Sequence, residues 1–198
     1  MIRPPGSRDC SAFSTRRSGS RTYLGIAKIT ASSSDGKVSD SCTVQVFRKG
    51  DELSVDGGSE DDIYYAVADS DGILSAAYGK NTNKKITELS IPGTVTVNGN
   101  VLEVIEISEN AVSGHKKLRE VNIGVNVERI KAGAFKGCKK LKEVTIESEQ
   151  LTSGEVASNA FKGIKTRCKF YVSDNVFKSY KAWMRKKGTK KITVLVDE

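Results

Sequence analysis

The segment Gly133-Ala134-Phe135-Lys136-Gly137-Cys138-Lys139-Lys140-Leu141-Lys142-Glu143-Val144-Thr145-Ile146 does not occur alone. Upstream it returns as Asn110-Ala111-Val112-Ser113-Gly114-His115-Lys116-Lys117-Leu118, and downstream as Asn159-Ala160-Phe161-Lys162-Gly163-Ile164-Lys165-Thr166-Arg167. The shared alanines lie 23 and 26 residues apart. Each copy leads into a strand-like hexad: Leu118 to Ile123, Leu141 to Ile146, and a degenerate Arg167 to Val172. Ile86-Thr87-Glu88-Leu89-Ser90-Ile91 fits the same L-x-x-L-x-L pattern after a longer step of 32 residues. A self-similar period of this length is that of leucine-rich repeats. Each unit supplies a short strand with Leu, Val and Ile turned inward, then a turn whose Ala-Phe plugs the core. Neither half can bury its apolar face alone, so the units must stack.

The expected fold is therefore mainly β: a short solenoid of about four rungs with parallel strands about 4.8 Å apart. A C-terminal cap follows. Ser173-Asp174-Asn175 offers N-cap oxygens, and Val176, Phe177, Tyr180, Trp183 and Met184 recur at helical spacing. Gly188 falls where a helix C′ residue belongs, and Ile192, Val194 and Val196 alternate as a closing strand.

The phrases IPGTVTVNG (91–99), GAFKGCKKLKEVTI (133–146) and ASNAFKGI (157–164) resemble the BspA-like leucine-rich repeats of bacterial surface proteins. The resemblance covers roughly residues 73–196. It departs from the pattern at Val112, where phenylalanine is usual, at His115 for cysteine, and at Arg167 for leucine. These departures read as softening at the edge of the array. The resemblance implies a secreted or surface-attached location and, in some members, adhesion.

Before the array the pattern differs. Residues 1–20 are rich in Ser, Arg, Gly and Pro without apolar period, and are expected to be disordered. Residues 25–32 and 42–47 alternate apolar and polar around Asp35-Gly36, which predicts a β-hairpin. The run GIAKITASSSDGKVSDSCTVQV resembles the last two strands of bacterial Ig-like domains of the invasin/intimin type. Strands upstream that would complete such a sandwich are missing, so 21–47 reads as a partial Ig-like hairpin. Residues 51–62 carry six acids and no base, and 48–62 reads as an acidic linker. Order is expected again at Ile63–Val67 and Ile73–Tyr78, with Asp69-Ser70-Asp71-Gly72 as the turn between. On this reading the chain divides into 1–20, 21–47, 48–62 and a repeat domain over 63–198. Residues 1–62 would be loosely attached and readily cleaved.

Composition narrows the chemistry. The 198 residues carry 32 Lys and Arg against 24 Asp and Glu, a formal charge of +8, with one histidine. No apolar run approaches the roughly 18 residues of a membrane span, and residues 1–24 hold no apolar core that reads as a secretory signal. Cys10, Cys42, Cys138 and Cys168 lack the spacing of zinc or redox motifs; Cys42, Cys138 and Cys168 are read as small buried apolar residues. His115 and Cys138 share one slot of successive units, which could pair them as nucleophile and base or as half a metal site. Ile164 fills the same slot one unit on, so packing is the preferred reading. The acids at 51–62, 69 and 71 lack the regular ladder of a calcium loop. Trp183, Tyr180 and Phe177 could stack on sugars, but at helical spacing they are read as the buried face of the cap. No enzyme activity and no cofactor are expected.

The sheet face remains. In the L-x-x-L-x-L register the residues between inward positions align across rungs as two columns. One is Glu88, Glu120, Glu143 and Lys169; the other is Ser90, Asn122, Thr145 and Tyr171. Stacked glutamates repel unless compensated, for which Arg119 and Lys142 are placed next in sequence. These eight residues are the candidate contact strip of a binding or adhesion module. Its expected partner is a protein or glycan on host, matrix or cell wall. Nucleic acid is not expected, because the aromatics form no exposed stacking stripe, and neither is membrane insertion; the chain is expected to be a monomer. Two alternatives stand beside this: a structural cap whose basic surface over 162–191 sits against anionic wall polymer, and an accessory domain of a larger secreted enzyme.

Overall fold

The computed structural model describes residues 47–187 and 192–197 in full, and the backbone alone of 17–18, 21–24, 29–32 and 39–42. At the N-terminus, β1 (Arg17–Ser18) pairs antiparallel with β2 (Arg21–Leu24). Strand β3 (Ile29–Ser32) pairs with β4 (Ser39–Cys42), so the second strand of the expected hairpin begins earlier than the 42–47 run. At the far end of that run, β5 (Phe47–Arg48) pairs instead with β2. The remainder of the hairpin (25–28, 33–38 and 43–46) lies outside the described residues, as does most of 1–20. Arg17–Ser18 depart from the disorder expected there.

The acidic stretch 48–62 is no free linker. Strand β6 (Glu52–Leu53) pairs antiparallel with β7 (Asp62–Ala68), and Leu53 is only 4% exposed. The apolar Leu53 and Val55 pack on the core between the acids, which a reading dominated by charge and glycine overlooks. The Asp56 carboxylate then accepts from the backbone N–H of Asn98 (3.2 Å) and Gly99 (2.8 Å), tying this segment to a distant turn. The folded unit therefore starts before residue 63.

Strand β8 (Leu74–Asn81) follows the expected turn, in which Asp69 Oδ1 accepts from the N–H groups of Asp71 and Ile73. Chain then passes through β9 (Glu88–Ile91), β10 (Thr94–Val97) and β11 (Asn100–Ile107). β10 and β11 form a hairpin that absorbs the long step in the repeat. Asn98 (φ 50°) and Gly99 (φ 77°) turn its tip, the paired positive φ values of a tight type I′ turn. The array continues as β12 (Glu120–Ile123), β13 (Arg129–Ile130), β14 (Glu143–Ile146) and β15 (Lys169–Val172). Helix α1 (Asp174–Trp183) and a short 3₁₀ turn lead to the last strand, β16 (Thr193–Val196).

Two sheets enclose one core. The first is wholly parallel, in the order β16-β15-β14-β12-β9. The second runs β10-β11-β8-β7-β6; β13 adds parallel to β11, and Val156 bridges parallel to Ile130. Parallel pairing of β8, β11, β13 and Val156 makes the second wall of the solenoid. Between the walls lie Phe135, Phe161 and Phe170: the first two rings stack at 5.0 Å and 3°, and the third meets Phe161 edge-on at 5.1 Å. This is a short leucine-rich-repeat solenoid of four rungs, closed by one further strand.

Both ends are covered. At the start, Tyr78 OH and Asn81 Nδ2 donate to Asp62 Oδ1 at 2.5 and 2.7 Å, fastening β7 to β8. At the end, Ser173 Oγ caps α1 by accepting from Asn175 N–H, and Tyr180 and Trp183 are buried beneath the helix. Tyr180 OH donates to Ser148 O (2.8 Å) and accepts from Leu151 N–H (3.0 Å). The aromatic group is thus the inside of the cap, with Phe177 half-buried under Lys181. Gly188 lies outside the described residues.

Candidate binding face

Strand pairing fixes the columns of the parallel sheet. Glu88, Glu120, Glu143 and Lys169 are direct partners on successive strands, as are Ser90, Asn122, Thr145 and Tyr171. β16 extends both, with Thr193 beside Lys169 and Leu195 beside Tyr171. Leu89, Val121, Val144, Phe170 and Val194 alternate inward, so the face is held flat by a continuous core. An open depression of about 440 Å³ lies over its first three rungs, lined by Glu88, Ser90, Glu120, Asn122, Glu143 and Thr145 among others. Lys169 and Tyr171 share the columns but lie beyond the depression.

The electrostatics are unbalanced. Lys142 Nζ reaches Glu120 Oε1 at 3.4 Å, while Arg119 makes no ion pair among the described residues. Three carboxylates on neighbouring rungs are therefore answered by one lysine. Asn122 Nδ2 donates to Glu147 Oε1 at 2.7 Å, which fixes the amide and leaves Oδ1 shielded from solvent with no donor. Glu147 thus orients the face, a role its sequence position beyond the hexad did not announce. The other wall is different. Arg129 bridges Glu106 (3.2 Å) and Glu128 (3.1 Å), and Lys131 joins Glu106 at 3.3 Å.

The turn slot shared by His115, Cys138 and Ile164 is buried in all three copies. Cys138 Sγ donates to Val112 O at 3.2 Å, and burial pushes its thiol up to about 11, so the nucleophilic thiolate is absent at neutral pH. Cys168 is likewise raised by burial to about 12. His115 Nδ1 lies 2.7 Å from the same carbonyl and 3.3 Å from Lys84 Nζ, while Nε2 is buried without a partner. Desolvation, then the nearby Lys84 charge, lower the His115 pKa. This is packing chemistry. Among the described residues no group of three His, Cys, Asp or Glu side chains is placed to hold a metal ion. No helix among them is long and apolar enough to cross a membrane.

Residues 105–194 match the family model described as BspA type leucine rich repeat region. The match does not extend to 25–47, so the Ig-like resemblance there gains no support from it. No curated protein matches the chain. Among solved structures, it is similar to a leucine rich cell surface protein from Faecalibacterium prausnitzii (20% identity, covering 74% of this chain and 33% of that one, TM-score 0.40). It is similar also to a leucine-rich repeat protein from Bacteroides capillosus (20% identity, 70% and 100%, TM-score 0.43). A third is a leucine-rich repeat protein from Bacteroides ovatus (20% identity, 75% and 37%, TM-score 0.35). The chain spans about a third of the length of the Faecalibacterium and B. ovatus proteins. Over residues 105–194, then, the rungs of this solenoid are similar in sequence to the BspA type leucine rich repeat region.

Proposed function

We propose that the chain is a non-catalytic binding module of a secreted or surface-exposed bacterial protein, which presents its parallel sheet face to a protein or glycan partner. The observation that carries this reading is the in-register column Glu88–Glu120–Glu143, three carboxylates met by the single ion pair of Lys142 with Glu120, along an open depression in the sheet face. Like charges held one strand apart cost stability, and a partner offering cations or N–H donors would relieve that cost. The match to BspA-type repeats supports the surface location.

The test uses the full chain against a panel of immobilised extracellular-matrix glycoproteins. Asn122→Lys with Thr145→Lys fills the depression and should weaken capture by at least about tenfold, the size of a modest hot-spot loss. Glu155→Lys, exposed away from the face, should leave capture unchanged. Equal binding by the sheet-face variant and the unaltered chain would refute the reading.

A further inference from the structure

A second surface lies along the edge where each turn enters its strand. Four segments (80–87, 110–119, 132–142 and 156–169) together hold fourteen Lys and Arg and no Asp or Glu. Register converts this composition into geometry. Lys84, Lys116, Lys139 and Lys165 each stand four residues before one of the paired positions 88, 120, 143 and 169, so they form one column across the rungs. Lys85, Lys117 and Lys140 form a second column beside it.

The backbone holds both columns in step. Arg119 N–H donates to Thr87 O (2.7 Å), Lys142 N–H to Arg119 O (2.9 Å) and Lys169 N–H to Lys142 O (2.8 Å) on one flank. Gly114 N–H to Lys136 O (2.8 Å) and Gly137 N–H to Lys162 O (2.9 Å) do the same on the other. All seven column lysines are exposed. Among the described residues none of them has a carboxylate within 4.0 Å. Between the rungs an open depression of about 340 Å³ is lined by Arg119, Lys139, Lys140, Lys142 and Lys165, with no acidic residue in its wall.

We infer that this lysine ladder binds a linear acidic polysaccharide, laid across the rungs so that successive anionic groups meet successive lysines. The chemistry of the edge selects this partner over other polyanions. Its rings, Phe135 and Phe161, are buried, so no stacking platform serves the bases of a nucleic acid. The columns are lysine throughout, point charges that meet anionic groups from many directions without the planar bidentate fork of arginine, so what the edge reads is the spacing of charges along a linear polymer. Among the described residues the large exposed apolar side chains, Ile73, Val101 and Val125, all lie outside these segments, so the edge has nothing to insert into a lipid surface. The inference does not rest on the sheet-face reading: Lys169 stands where the two surfaces meet, but none of the seven column lysines is a sheet-face residue.

Heparin serves as the probe. Affinity of the full chain for heparin is measured at physiological ionic strength beside Lys116→Gln, Lys139→Gln, Lys165→Gln combined. The control is Lys178→Gln, Lys181→Gln, Lys186→Gln combined, which removes the same charge from the C-terminal region. The substituted side chains are exposed, so unchanged circular dichroism is expected for both. The ladder variant should lose affinity on the order of a hundredfold, and the control only a fewfold. Asn122→Lys with Thr145→Lys should bind heparin no more weakly than the unaltered chain. Equal losses in the two triple variants, tighter binding of single-stranded poly(dT) than of heparin, or no heparin binding at all would each overturn the inference.

Discussion

Two neighbouring turns of the solenoid have the same backbone and different contents. The turn over 133–141 is plugged by Phe135, stacked on Phe161, with Cys138 in the adjoining slot. The turn over 110–118 places Val112 and His115 at the same positions, equally buried. Their main chains are bonded directly, Val112 N–H to Ala134 O at 2.9 Å. A rung therefore tolerates a polar ring in an apolar slot when its neighbour fixes the backbone. The His115 turn is not looser than its neighbour; it is as dry and less well satisfied.

The largest way to break this comparison is Phe135→Ala. It removes the ring stacked on Phe161 and leaves a cavity, and urea unfolding should show a loss of about 3–5 kcal/mol. His115→Ala should cost about 1–2 kcal/mol, because the lost packing is partly offset by removal of a buried ring nitrogen that has no partner. If the two losses came out equal, the equivalence of the turns would fail.

Acidity sharpens the contrast further. The folded-state pKa of His115 is lowered, by desolvation first and by Lys84 second. Its contribution is therefore fully present above the ordinary histidine value of about 6.5 and is lost as pH falls through the folded value. Thermal midpoints of the unaltered chain should drop below that pH more steeply than those of His115→Leu. Parallel pH profiles for the two proteins would contradict this.

A baseline comes from outside both turns. Glu120→Gln relieves the glutamate column but gives up the half-exposed bridge to Lys142, and the two effects should nearly cancel, leaving stability within about 0.5 kcal/mol. A larger change, read by the same urea titration, would mean that the column itself governs rung stability.

The contrast also shows what a sequence discloses. The parallel sheet was legible to the residue, since L-x-x-L-x-L sets which side chains face out and the period sets which ones meet. The second wall was not: β13 is two residues long and Val156 only a bridge, too short to show alternation. The β10–β11 hairpin was signalled by Asn98-Gly99 between alternating valines and threonines, yet the long repeat step hid it. Residues 48–62 were misread because six acids outweighed Leu53 and Val55, the apolar side chains that pack the segment on the core. His115 was read as edge softening because it departs from the usual cysteine, whereas the turn, bonded rung to rung through its backbone, keeps it fully buried. On the binding face the columns were readable, but Glu147, which orients Asn122, was not, because that bond joins adjacent strands.

The Asn98–Gly99 tip has a consequence for protein engineering. Although 32 residues separate Glu88 from Glu120 and only 23 separate Glu120 from Glu143, β9 and β12 pair residue for residue, as β12 and β14 do. The surplus leaves the stack as a hairpin, and the tip residues are exposed, with open space around the Cα of Gly99. Foreign peptide spliced between Asn98 and Gly99 would give up the two hydrogen bonds to Asp56 and disturb no rung. The solenoid is thereby a carrier with a ready display site, able to hold a grafted epitope away from both its sheet face and its lysine edge.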